Sequence, residues 1–165
     1  MLELRDWSAL AALVNVALSL HEAVRDPLEL ARDCGFLAEL ALAQGNWSAA
    51  ARAATEALSW LAKVDRTGLQ VASQAASQGH ESGADPLTVR QVDRWLRVRS
   101  GLYWLLLAEA EAARQSDLSL AITYYERARS AVRASETSEL TVRILRRLRA
   151  AYFACLLYTS DAADE

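Results

Sequence analysis

The chain has 165 residues, of which 53% are hydrophobic and 24% charged, with six glycines, two prolines and two cysteines. This length is typical of one domain with a substantial core, and the composition excludes collagen-like, disulfide-dense and low-complexity proteins. The formal charge of −3 gives no electrostatic reason to expect a nucleic acid or an anionic membrane as partner.

Apolar residues recur at helical spacing along nearly the whole chain, which favours an all-α fold. Asp6 is a suitable cap for a first helix that ends near Arg25. Its apolar run, residues 9–20, is too short to span a bilayer, so we expect a buried helix. The apolar face of this helix comprises Leu10, Leu13, Val14, Ala17, Leu20 and Val24.

Turn signals then divide the chain into further helices. Asp26 and Pro27 predict the start of a second helix, because proline is favourable in the first helical turn. This helix should end at the Gly45 break, after which Asn46 is expected to cap a third helix that runs to about Val64.

Residues 65–85 are rich in serine, glycine, glutamine and alanine, and within them we predict a short helix near residues 69–78 followed by a loop. Pro86 restarts a long helical pattern that lasts to about Gln115. Gly101 lies inside this pattern, where it is expected to be a kink or a point of close packing.

Two helices complete the pattern. The Ser116-Asp117 break predicts a helix that ends near Ala134, and Glu136 marks the start of a last helix that continues into the C-terminal residues. We therefore predict about six to seven helices, arranged as antiparallel hairpins, and no strand.

The C-terminal segment, residues 155–165, resembles a reading-frame translation of a transposase adapter used in preparing sequencing libraries. We exclude it from fold arguments, as is appropriate for processing scars. Residues 1–154 then form a single helical domain with equal numbers of acidic and basic residues and one cysteine, Cys34. We expect the natural protein to continue past Ala154, and the face left open by truncation to allow self-association.

Two segments share a helix, a short polar turn, an apolar anchor after the turn, and alanines at fixed offsets behind it. The anchors and alanines are Trp47, Ala50 and Ala57 in the first segment, and Leu118, Ala121 and Ala128 in the second. This arrangement resembles the tetratricopeptide repeat (TPR). The two turns, at Gly45 and Ser116, lie 71 residues apart, close to two repeats of about 34 residues.

The intervening repeat would have its turn at Gln78-Gly79, but Glu81 stands there in place of the aromatic residue, so residues 65–85 are alternatively an insertion. The resemblance implies a short TPR-like α-solenoid in which the first helices of successive pairs hold a protein or peptide. The small residues would let paired helices approach to about 8–10 Å, and Trp47 or Leu118 would close the end of each hairpin.

The sequence carries no recognisable catalytic or cofactor motif. His21 and His80 each precede a glutamate, but no second histidine follows at the zinc-protease spacing, so we interpret both as ordinary residues. Cys34 lies among apolar residues and is predicted to be a buried, inert thiol. We therefore expect no metal, no cofactor and no catalytic residue.

Seventeen of the 18 basic residues are arginine, a bias that GC-rich codons alone would explain. Arg90, Arg94 and Arg97 nevertheless share one helical stripe. Four more arginines crowd the last helix: Arg143, Arg146, Arg147 and Arg149. Such rows can pair with acids of a neighbouring helix, hold an acidic peptide or contact phosphate.

Five aromatic residues fall on the long helix and the next one: Trp95, Tyr103, Trp104, Tyr124 and Tyr125. One interpretation is core packing between the two helices. The other is an aromatic-lined groove flanked by arginines, because these residue types dominate binding hot spots.

We predict a cytoplasmic, non-catalytic scaffold that binds a protein or peptide, with an acidic partner favoured and neither nucleic acid nor membrane expected. The N-terminus lacks the basic character of a signal peptide. The predicted partner-binding residues are Arg90, Arg94, Arg97 and Tyr124.

Two other functions remain open from the residues alone. The chain is alternatively the sensor or regulatory arm of a larger signalling ATPase or transcription regulator whose other motifs lie beyond Ala154. An all-α enzyme with its site in this segment is the third interpretation.

Overall fold

The computed structural model describes residues 7–64, 86–114, 117–132 and 138–161. Within these ranges the chain forms six α-helices and no strand, which confirms the all-α prediction for this part of the protein. The helices are α1 (Trp7–Val24), α2 (Pro27–Ala43), α3 (Trp47–Lys63), α4 (Pro86–Arg114), α5 (Leu118–Val132) and α6 (Ser138–Asp161). None of the six is both long and apolar enough to cross a membrane.

Some predictions fall outside the described residues. These are the cap at Asp6, the short helix near residues 69–78 with the loop after it, His80, and the connection over residues 133–137. The last helix does continue into the segment that resembles an adapter, since α6 ends at Asp161.

Three helix starts lie at the predicted breaks and are fixed by capping side chains. Asp26, Asn46 and Asp117 each accept a hydrogen bond from a backbone N–H in the first turn of the following helix, at 2.9, 3.2 and 3.0 Å. Each bond satisfies a donor that the helix itself leaves without a partner. Gly45 has a φ of 73°, in the left-handed region that favours glycine, and so allows the chain to turn sharply after α2.

Successive helices pack side by side and alternate in direction. Each helix contacts the next one along the chain. In addition, α2 contacts α4, and α4 contacts α6. Leu28 of α2 and Val92 of α4 line the same groove, and further along both helices Gly35 of α2 contacts Tyr103 of α4. The residue numbers increase in the same direction along both helices, so α2 and α4 are parallel. Helices α2, α4 and α6 therefore share one direction, and α1, α3 and α5 take the opposite one.

Two buried clusters share α4. The first joins α2, α3 and α4, and eight of its fourteen residues are alanine. The second joins α4, α5 and α6 and contains Leu105, Ala108, Ala121, Tyr125, Ala128, Val132, Ile144, Leu148 and Ala151. Because α4 contributes opposite sides to the two clusters, it is the central element of the fold.

Gly101 is a point of close packing, one of the two roles predicted for it. A Cβ atom at this position would overlap the Val132 side chain and would lie 3.3 Å from the carbonyl oxygen of Ala128. The absence of a side chain is therefore what allows α5 to approach α4 at this level.

The prediction that the first helix is buried is wrong. Among residues 9–24 no side chain is fully buried, and Leu13, Leu20 and Val24 are 68%, 63% and 75% exposed. The physical reason is that α1 packs on α2 alone within the described part of the chain. The half-buried residues are Ala11, Val14, Ala17, Leu18 and His21. The predicted apolar face is therefore divided between a contacting side and an exposed side.

Candidate functional site

A groove of about 390 Å³ runs between the parallel helices α2 and α4. It is lined by Leu28, Glu29, Arg32, Gln91, Val92, Trp95 and Arg99. The Arg99 guanidinium carbon lies 5.4 Å from the centre of the Trp95 ring, within the range of a cation–π interaction. Arg32 forms an ion pair with Glu29 one turn earlier. The groove thus combines an apolar and aromatic surface with one arginine from each helix.

The groove borders a close approach of α2 to α4. Tyr103, one turn after Arg99, is fully buried and packs directly against Gly35. Its hydroxyl has no hydrogen-bond partner among the described residues. Burial raises the pKa of Tyr103 to about 12, so the phenol stays protonated at neutral pH.

The predicted arginine stripe lies on another side of α4. Arg90 and Arg94 are exposed, and Arg97 is half-buried and forms an ion pair with Asp93 of its own helix. At about 100° per residue, this stripe is rotated by about 150° around the helix from the groove-lining residues. The three arginines therefore share one surface, as predicted, but that surface is not the α2–α4 groove.

Tyr124, the fourth predicted contact residue, lies on α5, beyond the C-terminal end of the arginine stripe. It stacks on Trp104 with ring centres 5.6 Å apart and borders a cavity that Leu107 also lines. Because Trp104 follows Arg97 by seven residues and Arg94 by ten, Tyr124 lies about 10 Å from Arg97 and about 15 Å from Arg94 along the α4 axis. Tyr124 is therefore displaced from the arginine stripe by about two to three turns of α4.

The cavity beside Tyr124 has a volume of about 620 Å³ and lies between α3, α4 and α5. Its charged residues are Arg52, Glu56, Glu111 and Arg114. The Glu111 carboxylate is almost buried and accepts a hydrogen bond from Arg114 at 3.2 Å. Equal numbers of acids and bases give this cavity no preference for a ligand of either charge.

The arginines of α6 have two kinds of environment. Arg143 donates to both carboxylate oxygens of Glu109 on α4, at 3.1 and 2.9 Å, and Arg147 donates at 3.2 Å. Burial raises the pKa of the nearby Tyr125 to about 12, and the Glu109 carboxylate adds to this shift. Arg146 is exposed and lines a cavity of about 630 Å³ with Arg143 and Arg147. Pairing with a neighbouring helix is thus found for two of the four arginines.

The structure pairs His21 with Asp33, a contact that the sequence analysis missed. The Nδ1 atom of His21 lies 2.5 Å from Oδ2 of Asp33, and Asp33 is 3% exposed. A buried carboxylate is costly without a partner, so this contact ties α1 to α2. The available signal was the position of Asp33, which shares the apolar face of α2 with Leu30 and Leu37 at helical spacing.

Cys34 is buried, as predicted. Burial raises the pKa of its thiol to about 12, and Glu56, Asp33 and Glu22 raise it further through their negative charges. The thiol is therefore protonated at neutral pH, where it is a poor nucleophile.

These surfaces combine charged and aromatic side chains. Within the described ranges, no group of three or more histidine, cysteine, aspartate or glutamate side chains could hold a metal ion. Comparisons of the chain with protein-family models, with curated proteins and with solved structures found no match. A function therefore has to be inferred from the chemistry of the grooves themselves.

Proposed function

We propose that this chain is a non-catalytic scaffold of TPR-like helical hairpins that binds an acidic protein or peptide in the α2–α4 groove. The observation that carries the proposal is the convergence of Arg32, Trp95 and Arg99 from two helices on one apolar groove. Arginine and tryptophan are the residue types most enriched in binding hot spots. Contact of Arg99 with the Trp95 ring also restricts both side chains before a ligand arrives, which lowers the entropic cost of binding.

Helix packing supports the TPR-like arrangement. The parallel helices α2, α4 and α6 contact one another in series, as expected for the first helices of successive pairs. The four alanines that carry the resemblance, Ala50, Ala57, Ala121 and Ala128, are all 0% exposed. The anchors differ, because Leu118 packs against the second cluster whereas Trp47 is 36% exposed and lies over Gly45.

The charge of the α2–α4 groove supports an acidic partner. The groove contains two arginines, Arg32 and Arg99, and one glutamate, Glu29. An excess of positive charge attracts anionic partners and accelerates their association.

The test compares two charge reversals on the same helix. The probes are fluorescein-labelled decapeptides in which aspartate or glutamate alternates with apolar residues, and binding is measured by fluorescence anisotropy. We expect Arg99→Glu, inside the groove, to weaken binding by about tenfold or more, which corresponds to about 1.4 kcal/mol, because the change places a negative charge against an acidic peptide. Arg94→Glu, on the other side of α4, should leave the affinity unchanged.

The opposite result would locate the contact on the stripe of Arg90, Arg94 and Arg97 instead. Equal affinity of both variants and the parent chain would contradict an arginine-dependent site on α4. Tyr124→Ala tests the remaining predicted contact residue, and circular dichroism of each variant shows whether the helices are retained.

A further inference from the structure

The cavity beside Tyr124, which we call the central cavity, lies in the middle of the described fold rather than at either end. Its walls belong to α3 and α5, and α4, which contacts both, forms the floor between them. The floor residues Leu107 and Glu111 are 6% and 9% exposed, whereas Arg52 and Glu56 on the α3 wall are exposed. A volume of about 620 Å³ is within the range of sites that hold small molecules.

The charged residues of the central cavity have a common order along it. Arg52 and Glu56 lie one turn apart on α3, and Glu111 and Arg114 lie one turn apart on α4. The two helices run in opposite directions, so each arginine is displaced from the glutamate of its own helix in the same direction along the cavity. One end of the cavity is therefore richer in arginine and the other end is richer in glutamate.

The pairs on the two helices differ in how their charges are already used. Arg114 donates to Glu111 at 3.2 Å, and this bond uses one of the five N–H donors of the guanidinium. Within the described part of the chain, the side chains of Arg52 and Glu56 form no hydrogen bond or ion pair. The two charged groups on α3 are therefore able to bind a ligand without breaking a contact between described residues.

This order of charges favours a ligand that carries both signs. A ligand with a single charge would be attracted to one end of the cavity and repelled by the other, whereas a zwitterion meets an opposite charge at each end. Side chains one turn apart on a helix are separated by about 5–6 Å. The ammonium and carboxylate groups are about 6 Å apart in an extended dipeptide but only about 2.5 Å apart in a single amino acid, so the spacing favours the dipeptide.

We propose that the central cavity binds a short peptide in its zwitterionic form, of about dipeptide size. The peptide carboxylate binds to Arg52 and Arg114, and the ammonium group binds to Glu56 and Glu111. An apolar side chain of the peptide packs on Leu107 in the floor. The central cavity shares no lining residue with the α2–α4 groove, so this site is independent of the proposed function.

The experiment removes one charge at a time from the ligand and from the protein. The probes are leucyl-leucine, its N-acetyl form without the ammonium group, its C-terminal amide without the carboxylate, and the N-acetyl amide without either charge. Affinities are obtained from NMR chemical-shift titrations of the ¹⁵N-labelled chain. Arg52→Gln and Glu56→Gln remove the charges on α3. Arg146→Gln and Glu39→Gln, at exposed positions outside the cavity, are the matched controls.

We expect the free dipeptide to bind about fivefold more tightly than either singly charged form, which is the upper range for an exposed ion pair. Arg52→Gln should weaken the free dipeptide and the N-acetyl form by about two- to fivefold and leave the amide unchanged, because the amide has no carboxylate. Glu56→Gln should weaken the free dipeptide and the amide to the same extent and leave the N-acetyl form unchanged. Both control variants should bind all four probes as the parent chain does.

Three results would overturn the proposal. They are equal binding of all four probes, no shift at the cavity residues with the free dipeptide, and an affinity for the free dipeptide that neither Arg52→Gln nor Glu56→Gln changes. Circular dichroism shows whether each variant retains its helices. Arg99→Glu, in the α2–α4 groove, should leave dipeptide binding unchanged, so failure of one site is distinguishable from failure of the other.

Discussion

The hairpins α2–α3 and α4–α5 begin from similar turns but pack in different ways. The buried residues that α2 and α3 contribute to the first cluster are seven alanines with Cys34 and Leu61. Between α4 and α5 larger residues, Tyr125 and Val132 among them, are buried beside alanines, and Gly101 provides the space for Val132. The buried α2–α3 contact therefore consists mainly of small residues, whereas the α4–α5 contact combines bulky residues with one position that has no side chain.

This difference shows that the same backbone arrangement can be packed in two ways, one sensitive to added side-chain volume and the other to lost side-chain volume. A contact made of alanines has no room for added volume, so enlarging a residue should damage it most. A contact that contains a buried aromatic ring depends on that volume, so removing the ring should damage it most. Added side-chain volume should therefore destabilise the first hairpin most, and lost volume the second.

The largest effect is expected from Tyr125→Ala in the second hairpin. Truncation of a buried aromatic residue costs about 3–5 kcal/mol, because the lost contacts leave a cavity. The free energy of unfolding is obtained from urea denaturation followed by circular dichroism. Tyr124→Ala, at the half-buried neighbour, should cost much less, since it mainly loses the stack on Trp104. Equal losses at the two positions would contradict the packing described for α5.

A smaller loss is expected from Ala54→Leu in the first hairpin. Ala54 is 0% exposed, and additional methylene groups in a well-packed site cost about 1–3 kcal/mol. Ala62→Leu, at an exposed position of the same helix, is the control and should be nearly neutral. If Ala54→Leu is also neutral under the same urea titration, the α2–α3 contact is looser than its burial indicates.

The third effect is absent at neutral pH, develops only at alkaline pH and distinguishes the clusters by their ionisable groups. The first cluster contains Cys34 and Tyr103, whereas the second contains Tyr125. The pKa of Cys34 is about 12 when folded against 9.0 for the ordinary thiol, so its contribution to stability is complete below pH 9.0 and is lost as the pH rises towards about 12.

The loss from Cys34 should approach about 1.4 kcal/mol per pH unit within that range. Cys34→Ala should delay the onset of alkaline destabilisation to about pH 10, where the tyrosines begin to contribute, because their ordinary pKa is 10.0. Urea denaturation at a series of pH values measures the onset, with Cys155→Ala as the control for a thiol that is not fully buried. An onset unchanged by Cys34→Ala would contradict the burial of the thiol.

Features that depend on a few neighbouring residues were predictable from the sequence. Asn46 and Asp117 cap the helices for which they were predicted, and Asp26 caps the helix whose start was predicted there, because capping needs only the first turn that follows. Close packing at Gly101 was one of two predicted roles, and burial of Cys34 followed from its apolar neighbours in the helix. These features require no knowledge of which helices meet.

Features that depend on the arrangement of helices were not predictable in the same way. Periodicity identifies an apolar face on α1 but does not show how many neighbours cover it, and here α2 covers only part of the face. Arg99 lies in the groove while Arg94 lies on another side, because the position of α2 decides which side of α4 forms the groove. The His21–Asp33 contact likewise depends on how α1 is rotated against α2.

The membership of α4 in both clusters has a consequence for how the chain opens. The central amides of α4 cannot become exposed unless both clusters separate, so their hydrogen exchange should report on global unfolding. Helix α1 contacts one neighbour and buries no side chain fully, so its amides can exchange by local detachment while the rest stays folded. Deuterium would then enter the chain from α1 long before it reaches the middle of α4.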